Sequence, residues 1–223
     1  MKKIITIVAI VISSTLFAQN SIEKTIGEFK TVKVFDLINL KMKKGNENKI
    51  IISGKNRSDV QIINKDGKLK MRMNLEEIYD GEDTIVELYY TSVDVIDANE
   101  GAKVTVEDAI EQYEIDLKVQ EGAEITAKLN TSYANFRAVT GGVINVTGSS
   151  KNQEISIYTG GIFNGKEFET EDTEISVNAG GEADINAKEY VDVRIKAGGD
   201  VNIYGNPKTI DEKRILGGRV NRM

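Results

Sequence analysis

Six polar side chains recur at intervals of 18 to 21 residues in the second half of the sequence, and their chemistry suits ligand recognition. They are Thr105, Thr126, Asn145, Asn164, Asp184 and Asn202. If the repeats stack, these groups form one outward column that could present hydrogen-bond donors and acceptors to a glycan or a protein partner. Alternatively, the stacked groups hydrogen-bond to one another. We take the column as the candidate binding site and the self-paired polar face as the alternative.

A second series at the same interval is rich in carboxylates. It comprises Val95, Asp116, Asn135, Glu154, Glu174 and Asp192. Stacked carboxylates repel one another, and a calcium ion would relieve that repulsion. Lys118, Arg137 and Arg194, each two residues further along, can instead neutralise them. The glycine- and aspartate-rich nine-residue repeats of calcium-filled β-rolls are missing, so we expect a screened charged surface with no metal and no other cofactor.

A third group of charged residues could support catalysis on polysaccharides. We expect Glu182, Asp184 and Asp200 to cluster near one edge, with Arg194 and Lys196 in the next strand, and paired carboxylates can act as acid and base on a glycosidic bond. However, the chain has no histidine, cysteine or tryptophan, and no insertion is long enough to wall a cleft. We therefore expect a non-enzymatic protein, with a polysaccharide lyase or hydrolase as the alternative.

Regularly spaced glycines define the repeat, and the positions of these columns are counted from them. The anchors are Gly101, Gly122, Gly141, Gly160, Gly180 and Gly198, and the residue after each is always alanine or glycine. Positions five and three before each anchor, and three and five after it, are apolar in every repeat except at Gly165. Such alternation puts four side chains per repeat on one face of two short strands. Glycine allows the chain to turn between those strands with a positive φ.

A period near 20 with two strands per unit is typical of a β-solenoid. One coil buries four apolar side chains, worth roughly 1.5–3 kcal/mol each, but ordering its residues costs roughly 1–2 kcal/mol per residue. Coils must therefore stack and share a core. The sequence predicts an all-β fold, a right-handed parallel β-helix of about six coils preceded by an N-terminal β-meander. A two-sheet antiparallel sandwich is the rival.

Residues 1–18 have the pattern of a secretory signal peptide. Lys2 and Lys3 precede an apolar run over residues 4–12, which is too short to span a membrane. Cleavage after Ala18 would leave no transmembrane anchor. We therefore expect an exported protein, located in the periplasm, on the outer-membrane surface or outside the cell.

The rest of the chain divides by composition. Residues 19–31 form a polar lead-in, and residues 32–90 predict short strands joined by turns. Residues 91–207 contain the repeats, and residues 208–223 predict a C-terminal cap or edge strand. The sequence leaves open whether residues 32–90 extend the solenoid or form a separate sheet.

The net charge of −6 bears on the partners of such a protein. Nucleic acid and anionic lipid both require basic surfaces, so we expect neither as a partner. The remaining candidates are a glycan or an envelope protein. Self-association of the rod through an exposed edge is a further option.

Three motifs carry a resemblance to a known family. They are the hairpin pair at residues 46–54 and 66–71, the entry to the repeat at residues 95–104, and the ending Gly205-Asn206-Pro207 followed by Gly217-Gly218. In this order the chain resembles the head GIN domain family, also called putative auto-transporter adhesins, over roughly residues 30 to 220. The resemblance implies an exported β-helical protein of bacteria with an outer membrane and an adhesin-like binding or scaffolding role. It supplies no catalytic residues.

Overall fold

The structure, a computed structural model, describes residues 21–76 and 78–223. The predicted signal peptide therefore lies outside the described residues. A 3₁₀ turn spans Arg57–Asp59. The strands are β1 (Ile22–Thr25), β2 (Thr31–Val34), β3 (Asn39–Lys44), β4 (Lys49–Gly54), β5 (Val60–Lys65), β6 (Lys68–Met73), β7 (Thr84–Tyr90), β8 (Val95–Ala98), β9 (Lys103–Val106), β10 (Ile110–Val119), β11 (Glu124–Val139), β12 (Val143–Tyr158), β13 (Ile162–Val177), β14 (Glu182–Ala197), β15 (Asp200–Tyr204), β16 (Thr209–Leu216) and β17 (Arg219–Arg222).

The strands stack into a β-solenoid whose coils present three sheet faces. Sheet A holds the segments that run into the glycine corners, in the order β5, β6, β2, β8, β10, β11, β12, β13, β14, β16. Sheet B holds the segments that leave them, in the order β1, β4, β7, β3, β9, β11, β12, β13, β14, β15, β17. The narrow sheet C joins B to A through residues 110–112, 129–131, 148–150, 168–170 and 186–187.

The predicted core is confirmed. Every position of the four predicted columns is buried, and no apolar member is more than 6% exposed. Leu117 pairs with Phe136, Phe136 with Ile155, and Ile155 with Ile175, so each column runs directly from coil to coil. Parallel in-register pairing rules out the antiparallel sandwich and builds one continuous apolar interior.

The glycine corners have the conformation that the sequence predicts. All six anchors have φ between 63° and 72°. At the first four corners the preceding residue is also left-handed, as at Thr159 with φ 48°. At the last two the following glycine takes that role, as at Gly181 with φ 110°. A Cβ on Gly161 would lie 2.4 Å from the carbonyl oxygen of Ala138 in the preceding coil, so close stacking of coils explains the small residue after the anchor.

The exception at Gly165 has a packing reason. A Cβ there would lie 2.3 Å from the ring of Phe163. The centroid of that ring lies 4.8 Å from the centroid of Phe136, which also packs edge-on against Phe168 at 5.7 Å. The aromatic cluster therefore fills the volume that an aliphatic side chain occupies in the other coils. The register between β12 and β13 also shifts by one residue at this point, forming a bulge.

Residues 32–90 extend the solenoid. Strands β2 and β3 form one parallel coil, and β6 and β7 form another. The coil of β2 and β3 lies between the coil of β6 and β7 and that of β8 and β9, so the stacking order differs from the chain order. Antiparallel pairing, which the meander prediction assigned to all of these strands, is limited to β5 with β6 and to β1 with β4 and β4 with β7.

Counting glycines does not reveal the first coil of the chain, formed by β2 and β3, because its corner contains no glycine. Asp36 and Leu37 take the left-handed conformation instead, with φ of 59° and 61°. Their flanking apolar residues Val32, Val34 and Leu40 are fully or almost fully buried and continue the same columns. Non-glycine residues rarely adopt this conformation, so composition alone does not reveal the turn.

The last coil, formed by β16 and β17, closes the C-terminal end with polar side chains. Glu212 and Arg214 stand opposite the buried Val193 and Ile195. They form an ion pair of 2.6 Å between Arg214 Nε and Glu212 Oε1. Charged residues at inward positions of an edge strand oppose edge-to-edge association. This end is therefore a poor template for pairing with another chain.

Candidate functional site

The predicted binding column forms a ladder on the outer surface of sheet B. Its members pair in register from coil to coil, and the series continues to Asn221 in β17. Asn145 Nδ2 donates to Thr126 Oγ1 at 3.3 Å and to Glu124 Oε1 at 2.7 Å. Asn164 Nδ2 donates to Asn145 Oδ1 at 2.8 Å.

The ladder continues in the same way towards the C-terminus. Asn202 Nδ2 donates to Asp184 Oδ1 at 2.8 Å, and Asn221 Nδ2 donates to Asn202 Oδ1 at the same distance. The amide donors are thus used within the ladder, in the arrangement expected of a self-paired polar face. A ligand-binding role for this column stays a prediction.

The carboxylate column lies on the outer surface of sheet A. Asp116, Asn135, Glu154, Glu174 and Asp192 pair in register, and Asp211 of β16 extends the series. Among residues 21–76 and 78–223, no group of three or more acidic side chains is arranged to hold a metal ion.

Two of the three predicted cations form ion pairs with the aspartates of this column. Lys118 Nζ lies 2.9 Å from Asp116 Oδ2, and Arg194 Nη2 lies 2.5 Å from Asp192 Oδ2. The Asp192 hydrogen bonds raise the pKa of Arg194 further above its ordinary value. Arg137 is instead engaged elsewhere, with its guanidinium carbon 4.6 Å from the centroid of Tyr158.

The residues considered for polysaccharide catalysis do not converge. Glu182, Asp184 and Asp200 belong to sheet B, whereas Arg194 and Lys196 belong to sheet A. Asp200 is also held by the last coil.

The partner of Asp200 is Arg219, whose Nε and Nη2 donate to the two carboxylate oxygens at 2.7 and 2.5 Å. These hydrogen bonds lower the pKa of Asp200 below its ordinary value. A carboxylate engaged in this way on both oxygens is unsuited to proton transfer. The separation of the five residues onto two sheets therefore removes the basis for a catalytic site at this place.

A surface groove lies where sheet C bends into sheet A. Its volume is about 420 Å³, and two smaller depressions of about 220 and 230 Å³ adjoin it. The groove crosses the four long strands β11 to β14, whose backbone groups are paired on both sides. Its walls and floor are formed by Tyr133, Asn135, Asn152, Gln153, Glu154, Asp172, Glu174 and Tyr190.

Three carboxylates give the groove its charge. Glu154 and Glu174 are exposed and directly opposite each other on neighbouring strands, about 4.8 Å apart at the backbone. Asp172 lies in the adjoining column of the same strand as Glu174. Among the described residues, no lysine or arginine nitrogen lies within 4.0 Å of these carboxylates. The groove is therefore a negatively charged surface that is not neutralised by close ion pairs.

Tyrosines stand at both ends of the groove. Tyr133 is 42% exposed and packs against Tyr113, which is 68% exposed, with ring centroids 5.4 Å apart. At the other end, Tyr190 donates its hydroxyl proton to Asp211 Oδ2 at 2.9 Å, and this bond raises the pKa of Tyr190. The two ends are three strand spacings apart, about 14 Å.

Beneath the groove is a buried polar cluster that breaks the apolar interior. Gln153 is 3% exposed, and its Nε2 donates to Thr173 Oγ1 at 2.8 Å and Thr170 Oγ1 at 3.3 Å. Thr170 in turn donates to the carbonyl oxygen of Asn186 at 3.1 Å. Gln153 Oε1 is buried with no hydrogen-bond partner. A buried amide oxygen without a donor is unfavourable and rare in native proteins.

The sequence predicts only one of the two columns that form this groove. It predicts the carboxylate column but not the column two residues before it, which contains Tyr133, Asn152, Asp172 and Tyr190 in register. A count of polar and aromatic residues at that offset would have revealed it. The depth of the groove comes from the bend between sheets C and A, which no short-range pattern encodes.

Within residues 21–76 and 78–223, no helix has the length and apolar character needed to cross a membrane.

A search of curated proteins finds no significant match. Solved structures match over nearly the whole chain. A putative adhesin from Bacteroides fragilis has a TM-score of 0.84 at 14% identity and covers 91% of this chain and 96% of its own.

Two further structures share the fold. A putative adhesin from Parabacteroides merdae has a TM-score of 0.70 at 16% identity and covers 91% of this chain and 95% of its own. A putative lipid binding protein from Parabacteroides distasonis has a TM-score of 0.65 at 11% identity and covers 92% of this chain and 98% of its own. At these identities the likeness shows the fold alone.

The model of one sequence family matches residues 28–207, which is most of the chain. The matched segment begins before β2, ends after β15, and contains the groove, the ladder from Thr105 to Asn202 and the six glycine corners. The solenoid and the sequence match agree, and the chain belongs to the family described as putative auto-transporter adhesin, head GIN domain.

Proposed function

We propose that this protein is exported and acts as an adhesin-like binding module, with the groove on sheet A as its ligand-binding surface. Family membership supports an adhesin-like role. The observation that carries the choice of surface is a set of three carboxylates without close ion pairs, Glu154, Asp172 and Glu174, which lies between the exposed Tyr133 and the half-buried Tyr190. Concave sites with aromatic walls and a few polar groups are the usual form of a ligand site.

The rigidity of the site favours binding over catalysis. The groove is built on central strands of a packed solenoid, which give its side chains a rigid support. A rigid surface of this kind binds its ligand with little loss of conformational entropy.

Attachment is the direct test. The purified protein is applied to bacterial cells, host cell surfaces and immobilised polysaccharides, and retained protein is measured, together with any release of reducing sugar ends. We expect retention without release of product. The variant Tyr113→Ala/Tyr133→Ala removes an exposed aromatic wall and should lower retention at least tenfold, whereas Tyr79→Ala, an exposed tyrosine far from the groove, should not. Equal retention of all three proteins would exclude the groove as the binding surface.

Export is tested separately. A tagged chain and a tagged chain without residues 1–18 are expressed in the native host, and cytoplasmic, periplasmic, membrane and medium fractions are compared. We expect the intact chain outside the cytoplasm and the truncated one inside it. Cytoplasmic retention of both would contradict the export part of the proposal.

A further inference from the structure

Each end of the solenoid leaves one edge of sheet A and one edge of sheet B without a neighbouring strand. At the N-terminal end these edges are β5 in sheet A and β1 in sheet B, and at the C-terminal end they are β16 and β17. Among residues 21–76 and 78–223, no backbone group pairs with the outer edge of any of these four strands. A free edge of this kind can pair with a strand of another chain.

Three of these edges have features that oppose strand pairing. Strands β1 and β17 have only four residues each, and β16 has the charged Glu212 and Arg214 at inward positions. Short strands and inward-pointing charges are common means of protecting a sheet edge. By contrast, β5 has six residues, and its inward positions are the uncharged Val60, Ile62 and Asn64. The N-terminal edge of sheet A is therefore the least protected of the four.

Exposed apolar side chains lie at the same end of the molecule. Ile63 is on the outer face of β5 and is 46% exposed, although isoleucine is usually buried. The backbone N–H of Asn74 donates to the carbonyl oxygen of Asp59 at 2.8 Å, which places the start of the loop between β6 and β7 beside the start of β5. That loop contributes three more exposed apolar side chains, Leu75, Ile78 and Tyr79. Apolar surface at a free strand edge indicates a site of association.

The charges at the two ends of β5 are complementary to those of a second β5. Asp59 immediately precedes the strand and Lys65 ends it, and neither forms an ion pair with another described residue. Directly opposite residues of an antiparallel pair point to the same face. Pairing around Ile63 therefore sets Gln61 of each chain opposite Lys65 of the other and makes Asp59 the diagonal neighbour of that lysine. Parallel pairing would instead place like charges side by side.

We propose that β5 pairs with β5 of a second copy of this chain, antiparallel around a two-fold axis at Ile63, so that sheet A runs continuously through a dimer joined at its N-terminal ends. A two-fold contact is closed, so it gives dimers and not filaments. The groove begins five strand spacings from β5, about 24 Å, and stays exposed. Each dimer presents two grooves, which favours attachment to surfaces with repeated ligands. Dimer formation itself does not depend on what the groove binds.

The test measures molar mass by light scattering during size-exclusion chromatography of the purified protein over a range of concentrations. We expect the mass of a dimer, falling towards that of a monomer on dilution. Ile63→Lys places like charges opposite each other and should raise the dissociation constant of the dimer at least tenfold. Ile215→Lys is the matched control and should leave the dimer unchanged, because Ile215 is 62% exposed on β16, the edge strand of sheet A at the other end.

The variant Ile63→Cys tests the register of the pairing. The sequence contains no cysteine, so the only disulfide that this variant can form links two chains. Directly opposite residues lie within disulfide distance, and we expect a covalent dimer on mild oxidation that Ile215→Cys does not form. Absence of the cross-link would exclude pairing around Ile63.

Three further outcomes would overturn the proposal of a dimer through β5. They are a monomeric mass at every concentration, a dimer that Ile63→Lys leaves intact, and a mass that rises beyond the dimer as the concentration increases. Loss of the dimer in Ile215→Lys would place the contact at the C-terminal end instead. Each of these results leaves the groove as a ligand site unaffected, since that site is tested by attachment.

Discussion

Gln153 and Thr173 lie opposite each other on neighbouring coils, and Gln153 Nε2 donates a 2.8 Å hydrogen bond to Thr173 Oγ1 inside the solenoid. The same interior column is occupied in other coils by Ile115, Ala134 and Val191. The polar pair is thus an exception in an apolar column, and it lies directly beneath the candidate groove.

Removing one partner of this pair should be more harmful than removing both. Thr173→Val should lower the free energy of unfolding by about 1–3 kcal/mol, because it takes away a buried acceptor from the Gln153 amide. Gln153→Leu/Thr173→Val should recover most of that loss, since two apolar side chains match the rest of the column. Denaturant unfolding of the three proteins measures the difference. A double variant less stable than Thr173→Val would mean that the polar cluster stabilises the coil.

The apolar columns predict a strong effect at Ile157, which is fully buried. Ile157→Asp places a charge in the shared interior and should abolish the cooperative thermal transition. Thr159→Asp is the control, because Thr159 is exposed, lies only two residues away and has a left-handed conformation that aspartate tolerates. Circular dichroism melting distinguishes the two. An unchanged transition in Ile157→Asp would show that the register is wrong.

The corners predict that substitutions at two adjacent glycines lower stability by different amounts. Gly160 has φ 72° and open space around a potential Cβ, so Gly160→Asn should cost less than about 1 kcal/mol. Gly161→Ala places a methyl group 2.4 Å from the Ala138 carbonyl oxygen and should cost more. The two variants are compared by denaturant midpoint. The reverse order would contradict the explanation of the small residue as a requirement of coil stacking.

Glu100, which precedes the glycine corner at Gly101, predicts a pH dependence of stability. Burial, a side-chain hydrogen bond with Asp36 and the charges of Asp36 and Glu121 raise the pKa of Glu100 above its ordinary value. The folded state therefore binds the Glu100 proton more tightly than the unfolded state does. Stability from this group is fully present below the ordinary pKa, near 4.5, and is lost as pH rises through the higher folded value.

The variant Glu100→Gln tests this effect by mimicking the protonated form. It should make stability less dependent on pH above 4.5 and raise it relative to the unsubstituted protein at neutral pH. Glu111→Gln, at an exposed position on sheet C, should leave the profile unchanged. Unfolding midpoints are measured between pH 4 and pH 8. A profile of Glu100→Gln parallel to that of the unsubstituted protein would contradict the assignment.

The ladder on sheet B predicts that introducing a negative charge into it lowers the stability of the fold. Asn164→Asp removes the donor to Asn145 and places a carboxylate opposite Asp184, so stability should fall by about 0.2–1 kcal/mol and recover in part at high salt. Asn46→Asp makes the same chemical change at an exposed turn and serves as the control. Glycan binding by both variants is measured in parallel. Loss of binding in Asn164→Asp at unchanged stability would favour the ladder over the groove as the ligand site.

The sequence alone determined the repeat, its register and its interior. Alternation fixes which side chains face inward, and the glycine at each corner fixes where the chain turns, so residues such as Leu117 and Gly141 could be placed without coordinates. These features are local in the chain, and each coil repeats the same local pattern. The carboxylate column followed from the same count.

The tertiary structure alone decided the stacking order and the groove. The coil of β2 and β3 is inserted between later coils because parallel strands choose partners by matching faces over long sequence separations. Its corner at Asp36 and Leu37 also lacks the glycine that marks the others. The groove lies where sheet C bends into sheet A, and Arg137 stacks on Tyr158 instead of pairing with the carboxylate column. Both depend on contacts between coils, which a one-dimensional pattern does not contain.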